Sequence, residues 1–332
     1  MKPSDIFFND VGRLRSGWRF SIYVALFALF ESLLAVGIRF LALEGRSAEG
    51  FLESNWGFVV QALLLFAAAL LAGWICTSRV EGLPLRSLGW VMHRGWLRDL
   101  LVGSLIGIAS LLVATALATL TGGFHFAFNR AGISSAVAKT LLVSCLVFIP
   151  AAAAEEMVFR GYPLQTMTRA RLAWVGLALT SVLFAWVHLN NPNVVPGFTL
   201  LNTTLAGLWL GVAYLRTRSM WFPLGVHWAW NWMMGAVLGL PVSGIDRLAP
   251  EPVMRATDAG PAWLTGGAYG IEGGAACTIA LLLSTLFIWR TRLIKATPEM
   301  LKLTDTENPV EPALKIYDAP AVNNQPPASH QS

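Results

Sequence analysis

Two adjacent carboxylates and an arginine follow a long apolar stretch of this chain. Glu155, Glu156 and Arg160 come directly after the uncharged residues 141–154. Glu156 and Arg160 are four residues apart, so on a helix they share a face and can form an ion pair. Glu155 is rotated by about 100° on the same helix and points elsewhere, which leaves it free to act as a general base. The alternative is a helix end whose acids reach the membrane interface and pair with Arg160.

Two further polar pairs lie in later apolar stretches of the chain. Phe184 and His188 are four residues apart, and so are His227 and Asn231, which places each pair on one face of a helix. Taken alone, His188 could be an interfacial or capping group, and His227 and Asn231 could form hydrogen bonds between helices. Together with the acidic pair, they concentrate ionisable groups in three apolar segments, where such groups usually mark a functional site.

The composition of the chain requires a membrane. Of its 332 residues 55% are hydrophobic and only 13% are charged, whereas a soluble domain carries about a quarter charged residues. Several apolar stretches approach the roughly 20 residues that cross a bilayer. We therefore predict an all-α, polytopic membrane helical bundle with about eight transmembrane helices around a polar cavity. The predicted spans are residues 20–43, 57–78, 100–121, 139–161, 172–189, 199–215, 221–240 and 274–291.

The basic residues indicate how the bundle is oriented. Apart from Arg39 within the first span, 18 lie in segments or at span ends on the side of the N-terminus and five on the other side, which by the positive-inside rule predicts that both termini are cytoplasmic. Because the bases flank spans, they indicate a lipid bilayer as partner and no nucleic acid. The chain is rich in Ala, Leu and Trp and has no eukaryotic sorting signal, which favours a bacterial plasma membrane. Cys76, Cys145 and Cys277 show no CxxC spacing, and we expect no disulfide framework.

The predicted domain organisation has three parts. Residues 1–19 form a cytoplasmic segment, 20–296 a transmembrane domain with its motif core at 145–235, and 297–332 a disordered cytoplasmic tail, because the tail is polar and lacks apolar periodicity. The Gly- and Pro-rich residues 241–273 form the longest outer loop, which could be a lid or a tether.

The three motifs together resemble a known family. Glu155-Glu156-x-x-x-Arg160, Phe184-x-x-x-His188 and His227-x-x-x-Asn231 are similar to the motifs of the CAAX prenyl protease and bacteriocin-processing (CPBP, or Abi) intramembrane proteases. The resemblance implies an eight-helix bundle around a conical cavity open to the cytoplasm. It also implies that Glu155 activates water with the help of His188, and that His227 and Asn231 donate to the oxyanion. Glu156, Arg160 and Phe184 would support these four catalytic residues.

The need for a metal is left open by the sequence. His188, His227 and Glu156 could bind Zn²⁺ with Glu155 as base, a ligand set of ordinary chemistry. The HExxH spacing is absent, so the sequence does not demand zinc.

We therefore expect an intramembrane endopeptidase that cleaves a membrane-associated peptide or protein, lipidated in the CAAX manner or not. The alternatives are a proton-coupled transporter and a non-catalytic membrane scaffold. One geometric conflict has to be resolved. Counting residues along the spans places Glu155 near the cytoplasmic end of its span and His188 near the outer end of its own. We expect Pro150 and 151–154 to bend or lower the fourth helix, and the segment around Arg169 and Arg171 to form a short surface helix.

Overall fold

The computed structural model describes residues 4–9, 12–43, 46–129, 132, 134–194 and 197–305. The helices are α1 (Ser4–Phe7), α2 (Ser16–Leu43), α3 (Arg46–Glu53), α4 (Asn55–Ile75), α5 (Trp96–Leu120), α6 (Ser135–Arg160), α7 (Tyr162–Arg169), α8 (Ala173–His188), α9 (Phe198–Thr217), α10 (Trp221–Trp232), α11 (Ala262–Thr265), α12 (Ala275–Arg290) and α13 (Pro298–Thr304). Short π-helical turns continue α4 (Cys76–Val80) and α10 (Met233–Val237), and 3-10 turns lie at Leu85–Leu88, Gly267–Tyr269 and Ile271–Gly273.

The structure confirms a mostly helical membrane protein but does not confirm eight complete spans. Within the described residues, five helices are long and apolar enough to cross a bilayer: Ser16–Phe40, Asn55–Val80, Trp96–Leu120, Ser135–Arg169 and Phe198–Thr217. The other three predicted spans contain α8 and α12, with 16 residues each, and α10, with 12. At 1.5 Å per residue these helices are about 18 to 24 Å long, less than the roughly 30 Å of a hydrocarbon core.

One feature contradicts the prediction of a purely α-helical chain. Strand β1 (Phe124–Phe128) pairs antiparallel with β2 (Met254–Asp258), with Phe124 opposite Asp258 and Phe128 opposite Met254. The Phe-x-Phe-x-Phe alternation of β1 has the period of a strand and places the three rings on one face. Phe124 is buried in the core, and Phe128, at the other end of the strand, is exposed. The small sheet joins the loop after α5 to the long loop after α10.

The first residues of the predicted C-terminal tail form a helix. Helix α13 falls within the predicted disordered tail, its N-terminus capped by the Thr297 hydroxyl, which accepts a hydrogen bond from the Met300 backbone N–H. Met300 is fully buried, which explains why this turn is helical. The remainder of the predicted tail, residues 306–332, lies outside the described part of the chain. The three cysteines are free, as expected.

The packing that matters most for the site joins α5 to α10. A Cβ atom on Gly103 or Gly107 would lie 2.3 or 2.2 Å from a backbone oxygen of α10, and one on Gly225 would lie 2.2 Å from the Leu100 oxygen. Small residues at such positions let two membrane helices approach at backbone distance, which is where their packing energy comes from. Because α10 carries His227 and Asn231, this contact sets the position of the third motif.

We predict that Gly107→Ala destabilises the protein by about 1–3 kcal/mol, because the added methyl group cannot be accommodated without moving α5 away from α10. Unfolding by SDS in mixed micelles measures the change. Gly37→Ala is the matched control: Gly37 also lies inside a helix, and nothing stands within 4 Å of its added Cβ, so the substitution should be neutral or stabilise by up to about 1 kcal/mol. Equal stability of the two variants would contradict the close contact.

Candidate active site

The acidic motif lies near the end of α6, and its two carboxylates have different surroundings. Glu156 is fully buried, and its Oε1 accepts a hydrogen bond of 3.1 Å from Arg160 Nη1. Arg160, itself 1% exposed, also donates from Nη2 to the Gly207 carbonyl on α9 at 3.1 Å. The predicted Glu156–Arg160 pair is therefore present, and it fastens α6 to α9. The Glu155 side chain faces a cavity and is 28% exposed.

Phe184 on α8 forms a platform under the charged groups. The Arg160 guanidinium carbon lies 4.7 Å from the centre of its ring, and the rings of His188 and His227 lie 4.4 and 6.2 Å away, centre to centre. Such cation–π and ring contacts fix the planes of the groups above them. The role of Phe184 is thus to hold three polar side chains in a fixed arrangement.

Glu155 Oε2 is the point at which the histidines converge. Nε2 of His188 lies 3.8 Å from it, and Nε2 of His227 lies 3.7 Å from it. Both separations exceed a hydrogen-bond length, and Glu155 Oε2 has no hydrogen-bond partner among the described residues. Side chains from α6, α8 and α10 therefore surround one small volume, as the sequence predicted.

The second ring nitrogen of each histidine, Nδ1, has an acceptor as its neighbour. His188 Nδ1 lies 2.7 Å from the Phe184 carbonyl oxygen, and His227 Nδ1 lies 2.9 Å from Glu156 Oε1. Because a carbonyl and a carboxylate only accept, both Nδ1 atoms donate. In its neutral form, each histidine would therefore present an unprotonated Nε2 atom to Glu155.

Counting along the predicted spans had placed Glu155 and His188 near opposite ends of their helices, yet the two side chains lie close together. The span of α6 continues through α7 to Arg169, so Glu155 does not lie at its end. The Tyr23 hydroxyl donates to the Val158 carbonyl at 3.3 Å. Tyr23 lies about 10 Å from the beginning of α2, so Val158, close to Glu155 in the chain, lies beside the interior of α2 and not beside its end. Helix α8 ends at His188, before a full crossing. The segment around Arg169 and Arg171 is not the expected surface helix, because Arg169 ends the buried helix α7 and Arg171 lies in the exposed turn after it.

Two connected cavities meet at these residues. The larger, of about 500 Å³, is lined by Glu155, His188 and Asn231 and by mostly apolar side chains of α2, α4, α6 and the loop after α10, with Glu31 and Gln61 among them. A small inner extension of about 50 Å³ adds His227 and Phe184 to its wall. Asn231 lines both cavities, one turn beyond His227 on α10. All four predicted catalytic residues thus border the same space.

Glu272 is a site residue that the sequence analysis missed. Its Oε1 accepts from Trp230 Nε1 at 3.0 Å, and its Oε2 accepts from the backbone N–H and hydroxyl of Ser243 at 2.7 and 2.9 Å. Its backbone carbonyl accepts from Asn202 at 2.8 Å. The long loop is therefore fastened over the inner cavity next to the third motif. The signal available in the sequence was a lone carboxylate among glycines just before an apolar helix.

The predicted zinc ligands do not share one point in this arrangement. Glu156 contacts Nδ1 of His227, whereas Glu155 and His188 lie on the Nε2 side of that ring. Across the described ranges, no group of three or more His, Cys, Asp or Glu side chains is arranged to hold a metal ion. The need for a metal stays as the sequence left it, and no step below passes through a metal.

Comparison with known proteins identifies the segment that carries the motifs. Residues 137–233 match the family described as Type II CAAX prenyl endopeptidase Rce1-like. No curated protein and no solved structure matches the chain significantly. The matched segment begins at the third residue of α6, ends directly after α10, and contains Glu155, His188, His227 and Asn231. It therefore confirms the resemblance to the CAAX prenyl and bacteriocin-processing intramembrane proteases that the three motifs predicted.

Proposed function

We propose that the protein is an intramembrane endopeptidase in which Glu155 activates a water molecule. The observation that carries the proposal is the convergence of Glu155 Oε2 with Nε2 of His188 and His227 at 3.7–3.8 Å. When both histidines are neutral, Glu155 Oε2 and the two Nε2 atoms are all hydrogen-bond acceptors, and a water molecule between them can donate two protons. Loss of one proton to Glu155 would turn this water into the nucleophile that peptide hydrolysis requires.

The residues opposite Glu155 supply the remaining steps. As water attacks, the carbonyl oxygen of the substrate gains negative charge, which needs donors placed in advance. The Asn231 amide can donate without any change of state. His227 already donates Nδ1–H to Glu156, so its Nε2 can donate to the oxyanion only after it takes up the proton that Glu155, 3.7 Å away, removed from the water. That proton then goes to the leaving amine as the C–N bond breaks. Glu156 faces the imidazolium that would result and would stabilise it, and Arg160 holds Glu156 in position at 3.1 Å.

The cavity also supports a substrate that lies in the membrane. A groove of about 340 Å³ between α2 and α8 shares Phe27, Glu31 and Phe159 with the larger cavity, and its other walls are almost entirely apolar. A peptide carrying a lipid could place its hydrocarbon there and its scissile bond at Glu155. We propose a membrane-associated protein with a lipidated C-terminus of the CAAX type as the substrate.

The experiment uses the full chain in lipid nanodiscs with a farnesylated peptide ending in a CAAX sequence. Release of a short C-terminal fragment, detected by mass spectrometry, supports the proposal. The same peptide without its lipid should be cleaved more slowly, because only the lipidated form can occupy the apolar groove. Absence of cleavage of any membrane-associated peptide would leave the transporter and scaffold readings as the better accounts.

We further predict that hydrolysis survives metal chelation. The wild-type protein, treated with 1,10-phenanthroline and EDTA and then dialysed, should keep its rate, because the site provides base and oxyanion donors from side chains alone. Elemental analysis of the purified protein is the independent measurement. Stoichiometric zinc whose removal stops hydrolysis would contradict the glutamate-activated mechanism while leaving the peptidase function in place.

A further inference from the structure

A second large cavity, of about 910 Å³, lies at the end of the bundle where α2 begins, and it shares no residue with the cavities around Glu155. Its walls come from the N-terminal segment, the first turn of α2 and the turn between α7 and α8. The arginines in its wall are Arg15, Arg19, Arg169 and Arg171. Nothing in the proposed peptidase mechanism uses them.

The buried part of this cavity carries more positive than negative charge. Arg19 and Arg169 are 1% and 3% exposed, and both form ion pairs with the single carboxylate of Glu81. Burial alone would raise the pKa of Glu81, but the two guanidinium groups outweigh it and hold that pKa below its ordinary value. Glu81 is therefore ionised and offsets only one of the two buried positive charges.

Arg169, which borders this cavity, has one donor left over. Its Nε and Nη2 donate to Glu81, whereas its Nη1 has no hydrogen-bond partner among the described residues. A buried donor without a partner is costly in a finished fold, and an acceptor from a ligand is the ordinary remedy. The other acid in the wall, Asp305, is paired with Arg218 at 3.3 Å.

Two further features favour an anion here. Ser16, Gly17 and Trp18, the first residues of the 28-residue helix α2, border the cavity, and the N-terminus of a long helix attracts negative charge. Arg171 is exposed and holds a left-handed backbone conformation, with φ of 62°, at the turn that leads into α8. Within the described part of the chain its side chain forms no ion pair.

The rim of the cavity indicates where the anion comes from. Ile6, Trp18 and Leu172 border the cavity and are about half exposed, and indole and aliphatic side chains in such positions lie at the membrane interface. A basic pocket with an apolar rim at the end of membrane helices has the chemistry to bind a lipid headgroup.

We propose that this cavity binds the phosphate of an anionic phospholipid headgroup, with Arg169 and Arg171 and the first turn of α2 as its principal contacts. The shared chemistry is a phosphate group with net negative charge, and the lipid is its source because apolar side chains surround the opening. The site is independent of the proposed peptidase activity and would anchor the α7–α8 turn, on which Phe184 and His188 depend.

The experiment is isothermal titration of the full chain in a neutral detergent with dioctanoyl phosphatidylglycerol. Saturable binding is expected, with dioctanoyl phosphatidylcholine at least tenfold weaker. Arg171→Asn should weaken the binding about fivefold, the effect of one basic side chain near an anionic lipid. Asparagine tolerates the left-handed conformation, so the turn should persist. Arg292→Asn, an exposed arginine outside the cavity, is the control and should bind as the wild type does.

A second variant keeps the proposal testable if Arg171 contributes little. Gly17→Glu places a carboxylate in the cavity, where nothing stands within 4 Å of the new Cβ, and an acid in the first turn of a helix favours folding. It should abolish measurable binding. Unchanged affinity in Arg171→Asn and Gly17→Glu, or equal affinity for the two lipids, would overturn the proposal. Sodium phosphate that binds as tightly as phosphatidylglycerol would overturn the lipid source.

Discussion

Glu155→Gln is expected to lower peptide hydrolysis by about 10²- to 10⁴-fold, the usual contribution of a general base. Glutamine has nearly the shape of glutamate but cannot take a proton from water. The fold should persist, because the Glu155 side chain is 28% exposed and Oε2 makes no hydrogen bond within the described residues. The measurement is the rate of cleavage of the farnesylated peptide in nanodiscs, with unfolding by SDS recorded for the same samples.

Glu31→Gln is the control for that experiment. Glu31 lines the same large cavity and the apolar groove beside it, so the substitution makes the same chemical change near the substrate. No histidine contacts Glu31 in the described structure, and its substitution should leave the rate within a few-fold of wild type. A Glu155→Gln variant that cleaves at the wild-type rate would remove Glu155 from the mechanism. Loss of activity in both variants would point to substrate binding rather than to proton transfer.

The sequence predicted the local relationships of the site well. A spacing of four residues on a helix is enough to expect the Glu156–Arg160 pair, and the structure contains it. The same spacing places His227 and Asn231 on one face, and both border the cavity. These predictions need only the geometry of one helix, which is the same in every protein.

The relationships between distant segments were less predictable. The sequence predicted the ends of α8 and α12 to within one residue, but it extended the span of α10 to residue 240, whereas the helix ends at Trp232 and its π-helical turn at Val237. Glu272 could not be assigned because its partners, Trp230 and Ser243, are 42 and 29 residues away. Sequence spacing also does not say which nitrogen of His227 faces Glu156, so it could not show how the three candidate zinc ligands lie relative to one another.

The cavity lined by arginines was also not predictable from the sequence. Arg15, Arg19, Arg169 and Arg171 were interpreted as charges that set topology, and two of them are also buried partners of Glu81. A count of basic residues near span ends gives the orientation of the chain, but it does not show which groups each base contacts. Only the packing of α2 against α7 shows that some of these charges line one cavity.

Arg160→Met is expected to destabilise the protein by about 3–5 kcal/mol, because it leaves the fully buried Glu156 without its cation. Arg255→Met is the matched control: Arg255 and Glu251 are also four residues apart and paired, but they are 55% and 43% exposed. Such an exposed pair contributes little to stability. SDS-induced unfolding in mixed micelles measures both variants, and equal losses would contradict the burial of the Glu156–Arg160 pair.

The double variant Glu156→Gln/Arg160→Met separates folding from catalysis. It removes both buried charges, so much of the lost stability should return, as happens when a buried ion pair is replaced by neutral side chains. Hydrolysis should stay below the wild-type rate even so, because the neutral amide of Gln at 156 can accept from His227 Nδ1 but cannot stabilise the imidazolium that donates to the oxyanion. Full recovery of both stability and rate would mean that Glu156 and Arg160 only hold α6 against α9. Recovery of stability alone assigns Glu156 the further task of orienting and charging His227, which links the pair that fastens the helices to the step that stabilises the transition state.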